Sequence, residues 1–453
     1  MTVRRPHRVL VLYHPDWIHV KSVSDHLESF HQFSRFDVSY ASSLSKCVFD
    51  LDCFSAVMVH YTARVCHPGH LTSSWLHALQ RYQGVKALFL QDEYENVHLT
   101  RRAIVDLGMD VVFTCVPIGE LAKVYPETLS PSTRFVHVLT GYVPADVDEI
   151  PRVPPMQERS ILIGYRGRNL GYWYGDLGQE KLEIGRRMKR ECDERRLSCD
   201  IGWEESDRIY GDHWYRFLCG CRATLGTESG ANLFDWDGTL RTAVQRDLLA
   251  NPSASYEEIR ARRFPGREGE VAMGQISPKF FEAIACRTAL ILFEGTYSGV
   301  LTPEKHFIPL RKDFSNVDDV LRKVQNAACL EKMTDQAYEE IVASGRYSYR
   351  TFVDLVDCTI EPLLKPAQAP PLCSLPMPTC DALTSFRRAH ATNLRPHLLQ
   401  RAWHALPDGI RRRLEPLLGR TAVKNLWTRA PTPVRAMLQP FVTYARSRLR
   451  PGQ

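Results

Sequence analysis

From Arg8 to Val138, short apolar runs alternate with stretches whose apolar residues recur at helical spacing. The runs are Arg8–Tyr13, Phe36–Tyr40, Ala56–His60, Lys86–Leu90, Asp110–Phe113 and Phe135–Val138. Between them Leu71, Trp75, Leu76 and Leu79 illustrate the helical period. Near-continuous apolar strands separated by helices predict a parallel sheet covered on both faces, a doubly wound α/β domain. Prolines 144, 151, 154 and 155 then mark a linker. A second series follows, with strands at Ser160–Ile163, Arg222–Leu225 and Ala289–Phe293. Its helices are predicted at about Gln179–Arg195, Val317–Ala328, Asp335–Ser344 and Tyr347–Thr359. The pattern predicts a first Rossmann-like domain over 1–143, a linker over 144–158 and a second such domain over 159–361. Two doubly wound domains facing across a cleft place ligands at the C-terminal ends of their strands. Six prolines between Pro362 and Pro378 predict a stiff linker (362–380), followed by basic amphipathic helices within 381–453.

Composition agrees with a folded chain of more than one domain: 453 residues, 44% hydrophobic and 24% charged. No apolar stretch approaches the roughly 20 residues of a membrane span, and no signal peptide is evident. Thirteen cysteines without paired spacing predict a reduced, cytoplasmic protein with buried thiols. The net charge of +6 is unevenly divided. Residues 366–453 hold 14 basic and 3 acidic side chains, leaving 44 basic and 49 acidic in 1–365. The excess positive charge therefore belongs to the tail, which points away from a general nucleic-acid binder. Its helical patterns, with Trp403 and Phe441 on the apolar side, suit either an anionic membrane surface or packing on protein.

Candidate chemistry gathers at the predicted strand ends. Gly164-Tyr-Arg166-Gly167-Arg168-Asn-Leu-Gly171 joins a strand to a helix, and glycines with cations at such a junction suit phosphate. Lys181, expected in the first turn of that helix, is a third cation. Thr224-Leu-Gly-Thr-Glu228-Ser-Gly230 ends another strand. Lys279 and Glu282 lie on the predicted helix of Ser277–Cys286, where a carboxylate can accept ribose hydroxyls and a lysine can reach phosphate. In the first domain, Asp92 and Glu93 end a strand and either orient an acceptor hydroxyl or cap the next helix. His60 reads as packed or solvated. Asp235 and Asp237 invite a metal reading, but the same spacing at Asp50/Asp52 and Asp146/Asp148 makes it a chance pattern. No metal is expected.

Glu282-Ala-Ile-Ala-Cys-Arg287 resembles the Glu-Ala-Met-Ala-Cys-Gly helix of GT-B glycosyltransferases, with Arg287 where that family prefers glycine. Glu228-Ser-Gly-Ala resembles the turn carrying the first glutamate of the retaining members' paired-glutamate motif. Here 53 residues separate the two glutamates where the family has seven or so, so 232–275 reads as an insertion. It carries helical patterns at Arg241–Leu249 and Tyr256–Arg263, expected to form a lid or acceptor platform. Phe234-Asp-Trp-Asp-Gly238 and His306-Phe-Ile-Pro-Leu-Arg-Lys-Asp-Phe-Ser315 resemble a bacterial, surface-polysaccharide branch. The resemblance implies a transferase using a nucleotide-sugar donor and a glycan or lipid-linked acceptor, with no cofactor. It places Glu282 on the ribose, Glu228 near the donor sugar, and Arg166, Gly167, Arg168, Lys181 and Lys279 around the diphosphate. It also implies a cytoplasmic enzyme, peripheral at the inner membrane face if the tail binds lipid. A sugar-nucleotide epimerase and an inactive nucleotide-binding scaffold remain open alternatives.

Overall fold

The protein is described from a computed structural model covering residues 7–18, 20–147, 150 and 153–365. The basic tail and most of the proline-rich linker lie outside the described residues. Strands β1 (Arg8–Tyr13), β2 (Asp37–Ser42), β3 (Ala56–Val59), β4 (Val85–Phe89), β5 (Val111–Thr114) and β6 (Arg134–His137) form one sheet. Its order is β2-β1-β3-β4-β5-β6, and every pairing is parallel. Strands β7 (Ile161–Arg166), β8 (Cys199–Gly202), β9 (Cys221–Gly226), β10 (Ala289–Phe293) and β11 (Ile308–Leu310) form the second, ordered β11-β10-β9-β7-β8 and again parallel. Both sheets reverse their winding beside the first strand of the domain, which creates a switch-point crevice in each. This is the two-domain, doubly wound architecture that the GT-B resemblance implies.

The central strands are apolar because both faces are covered. Val9, Leu10, Val11 and Leu12 are wholly buried, as are Ile291 and Leu292. Helix α1 (Lys21–Phe33) follows β1, and α2 (Ser73–Arg81) and α3 (Val97–Leu107) follow β3 and β4. A short turn, α4 (Leu121–Val124), precedes β6. In the second domain, α5 (Gly175–Glu194) follows β7 and α6 (Asp212–Gly220) leads into β9. Helices α7 (Thr239–Ala250) and α8 (Tyr256–Arg263) lie in the insertion, and α9 (Pro278–Ala285) runs into β10. Helices α10 (Val317–Gln325) and α11 (Ala327–Ala337) are separated at Asn326, whose side chain caps α11 by accepting from the Cys329 N–H. The predicted single helix over Val317–Ala328 is therefore two.

The last helix, α12 (Tyr349–Ile360), falls in the stretch assigned to the second domain, yet it packs on the first. Phe352 lies 5.7 Å from Phe30 and 6.1 Å from Phe89, ring to ring. Asp357 accepts from the Ser34 hydroxyl (3.0 Å) and the Arg35 N–H (2.7 Å).

The insertion is also joined to the first domain. The Asp235 N–H donates to the Tyr94 carbonyl (2.8 Å), and the His98 N–H donates to that of Trp236 (2.8 Å). Ala231, Phe234, Val271 and Met273 are wholly buried in the same core as Tyr94 and Val97. Leu233, Leu240, Val244, Ile259 and Phe264 form a small core of their own beneath α7 and α8, flanked by Tyr172 and Trp173. A free lid does not bury its base in this way. The insertion is a wedge built into both domains.

Candidate active site

Gly167, just past β7, donates its N–H to the Gly202 carbonyl at 2.8 Å. A Cβ there would stand 3.1 Å from the Lys181 carbonyl oxygen and 2.7 Å from the Tyr165 ring. Only glycine lets this turn lie so close against α5. Because α5 begins at Gly175 rather than near Gln179, Lys181 sits in its second turn, not its first. The Lys181 ammonium donates to the Glu228 carbonyl at 3.0 Å, and burial lowers its pKa to about 8. The charges of Glu180, Lys279, Asp92 and Glu228 also act on it.

Lys279, in the first turn of α9, donates to the Arg166 carbonyl at 3.1 Å and stands 5.5 Å from the Trp214 ring centre. Exposed Arg168 and half-buried Arg208, the latter unforeseen from the sequence, both act on its charge. Glu282 receives the Trp214 indole N–H at 2.7 Å, and burial pushes its pKa up. Trp214 stands two residues into α6, a helix the sequence reading missed, so this partner was invisible beforehand.

Arg166 does not join this group. It is the last residue of β7, and its guanidinium pairs with the Asp200 carboxylate (2.8 Å) and carbonyl (2.8 Å) on β8. Its other face lies 4.3 Å from the Phe217 ring centre. The Nη groups of Arg166, expected at a diphosphate, are held by the neighbouring strand, while its buried Nε has no hydrogen-bond partner. Glu228 also holds structure through one oxygen. Its Oε1 accepts from the Thr296 hydroxyl (3.0 Å) and the Tyr297 N–H (3.4 Å), closing the loop after β10.

In the first domain, Asp92 is exposed with φ +55°, and its carboxylate accepts from the Tyr94 hydroxyl at 2.7 Å. Glu93 turns the opposite way. It is buried, accepting from the Cys115 N–H (2.7 Å) and the Tyr125 hydroxyl (2.8 Å) and from the Thr114 hydroxyl. Desolvation raises its pKa to about 7 despite these donors. Both residues lie in the turn beyond β4, where the left-handed backbone at Asp92 leaves its side chain exposed while that of Glu93 is buried. Neither side chain caps α3, whose N-cap residue is Asn96 without a side-chain bond.

Glu95, overlooked in the sequence, ties the domains together. Its carboxylate accepts from Arg64 (3.0 Å) of the first domain and from the Tyr174 hydroxyl (3.1 Å) ahead of α5. Arg241 of the insertion lies 4.0 Å away. Against burial, the neighbouring His67 imidazole (3.5 Å) and the Arg64 charge hold its pKa down at about 2. His60 is wholly buried, its Nε2 3.0 Å from Nδ1 of His26.

Asp235 and Asp237 both start α7. Asp235 accepts from the Leu240 (3.1 Å) and Arg241 (3.0 Å) N–H groups, and Asp237 from the Thr239 N–H (3.0 Å). Among the described residues no group of three or more His, Cys, Asp or Glu side chains is placed to hold a metal ion. No helix among them is long and apolar enough to cross a membrane.

No protein-family model and no curated protein matches the sequence. Solved structures do resemble it. An alpha-glucosyltransferase in complex with UDP aligns over 78% of this chain and 99% of its own, with TM-score 0.45 and 10% identity. The likeness is one of fold. Sucrose-phosphate synthase from Thermosynechococcus elongatus aligns over 79% of this chain and 99% of its own, with TM-score 0.43 and 11% identity. Anabaena HepE, solved with UDP and glucose, aligns over 79% and 100%, with TM-score 0.43 and 10% identity.

Proposed function

We propose that the protein is a glycosyltransferase that takes a sugar from a nucleotide-sugar donor held mainly by the second domain. The observation that carries this reading is that Lys181 and Lys279 bring their ammonium groups to the ends of β9 and β7, at the Glu228 and Arg166 carbonyls. Two ammonium groups beside a backbone turn suit a leaving diphosphate, whose charge grows in the transition state. Arg168 and Arg208 add charge at the rim. Glu282, already positioned by Trp214, accepts from the ribose hydroxyls. Asp92 is the one exposed carboxylate of the strand-end pair and serves the acceptor hydroxyl. With Asp235 and Asp237 spent on α7, the reading needs no metal. Retention of configuration, a glycan or lipid-linked acceptor, a surface-polysaccharide role and a peripheral membrane location belong to the same proposal.

Incubation with a panel of UDP-, GDP- and ADP-activated sugars tests it. A transferase releases nucleotide faster when the right acceptor is added. Release of a new free sugar without an acceptor identifies an epimerase instead. Binding without release, unchanged in Asp92→Asn, identifies a scaffold.

A further inference from the structure

The glycine-rich turn after β7 ends at Gly171, and the next five residues, Tyr172 to Asp176, lead into α5. The insertion and the first domain hold them. The Tyr172 ring lies 5.5 Å from that of Tyr256 in α8, and the Arg241 guanidinium of α7 lies 5.1 Å from the Trp173 ring centre. Asp176 accepts from the Tyr256 hydroxyl (2.7 Å) and pairs with Arg260 (3.3 Å). Tyr174 reaches the other way. Its hydroxyl donates to Glu95 of the first domain at 3.1 Å, and its ring stands 5.8 Å from that of Tyr94, whose own hydroxyl donates to Asp92. Tyr174 also lies against the helix that carries Lys181. A Cβ at Gly178 would stand 2.7 Å from the Tyr174 Cβ, an approach that only glycine allows. Gly178 and Lys181 are three residues apart on α5 and share a face. The Lys181 ammonium then meets the Glu228 carbonyl at 3.0 Å.

We propose that Tyr174 is a positioning residue through which the first domain sets the place of the Lys181 ammonium, so that the acceptor side of the protein governs the donor side. Asp92, Tyr94, Tyr174, Gly178 and Lys181 form a continuous chain of contacts, and a rigid helix carries its last step. The insertion completes the arrangement by gripping the residues on either side of Tyr174, so a shift of the first domain moves the start of α5 rather than one side chain. That Lys181 meets a diphosphate rests on the transferase reading; that Tyr174 places it does not.

NMR of protein carrying 13C at lysine Cε follows Lys181 without any ligand, and Lys181→Arg identifies its resonance by loss. Tyr174→Phe keeps the ring and removes only the hydroxyl that reaches Glu95. The expected result is a Lys181 titration displaced upward from the wild-type value of about 8, toward the ~10.5 of a free lysine, because a loosened ammonium is better hydrated. Glu180, Lys279, Asp92 and Glu228, whose charges act on Lys181, are common to both proteins. So is Glu268, which lies against Gly175 and whose pKa burial raises to about 7. A hydroxyl that only stabilised the fold would lower the melting temperature and leave this titration in place, so superimposable curves overturn the assignment. Should Tyr174→Phe not fold, Asp176→Asn, which weakens the tie of the same segment to Arg260, is read in the same way. UDP and GDP titrated at pH 7 report the donor site separately, with affinity expected to fall roughly two- to tenfold in Tyr174→Phe. If neither binds the wild type, the transferase reading fails while the lysine titration still decides the placement.

Discussion

Burial decides which charged side chains of this protein can change state near neutral pH. Lys181 is the clearest, because its pKa of about 8 puts its charge within reach of ordinary buffers. Affinity for a nucleoside diphosphate should therefore be full at pH 7 and fall as pH rises through 8 to 9. Lys181→Arg, whose guanidinium stays charged, should flatten that profile in titration calorimetry. Glu93 moves the other way. Its carboxyl titrates near 4.5 when unfolded and about 7 when folded, so the folded state holds a proton that the unfolded chain has released. The stability this contributes is present below 4.5 and is lost as pH rises through 7. Glu93→Gln keeps a neutral group, so its melting temperature relative to wild type should climb between pH 5 and 8. Parallel melting curves would contradict the burial argument. At this scale the sequence identified residue types but not directions. Arg166 stands at the end of β7 and Glu93 in the turn beyond β4, yet each turns toward a partner (Asp200, Thr114) that spacing alone does not reveal.

Elements were legible where burial is two-sided. The apolar runs of β1 and β10 leave no other reading, and both appear with the expected bounds. Edge strands lack that signature. Cys199-Asp-Ile-Gly (β8) is only half-buried, and Ile308-Pro-Leu (β11) carries a proline that only an edge tolerates. Missing β8 hid the partner of Arg166, and missing α6 hid Trp214 and Tyr215. The insertion helices were legible from their helical patterns, and the structure adds a cap to one of them: Ser255 and Glu258 bond reciprocally at the start of α8. Asp235 does comparable work for α7 while buried, accepting two backbone N–H groups. Asp235→Ala should cost about 1–2 kcal/mol in urea unfolding, the usual range for a lost cap. A gain in stability on adding a divalent ion to the wild type, absent from Asp235→Ala, would argue instead for a metal role.

Among the described residues the two domains are tied at Glu95 with Tyr174, at the insertion with the first core, and at α12 with α1. Phe234, numbered within the insertion, is wholly buried in the first domain's core. Phe234→Ala should destabilise by about 3–5 kcal/mol, as a core truncation does, whereas a lid residue would cost little. Equilibrium denaturation followed by tryptophan fluorescence reads the difference. The return of α12 has a consequence for how the chain is made on the ribosome. The aromatic face of α1 around Phe30 finds Phe352 more than 300 residues later in the chain. At a synthesis rate of ~5–20 residues per second, that face waits roughly 15–60 s for its cover. A nascent chain halted before Tyr349 therefore displays an unfinished first domain, and chaperones should be recruited to α1 until translation passes the final helix.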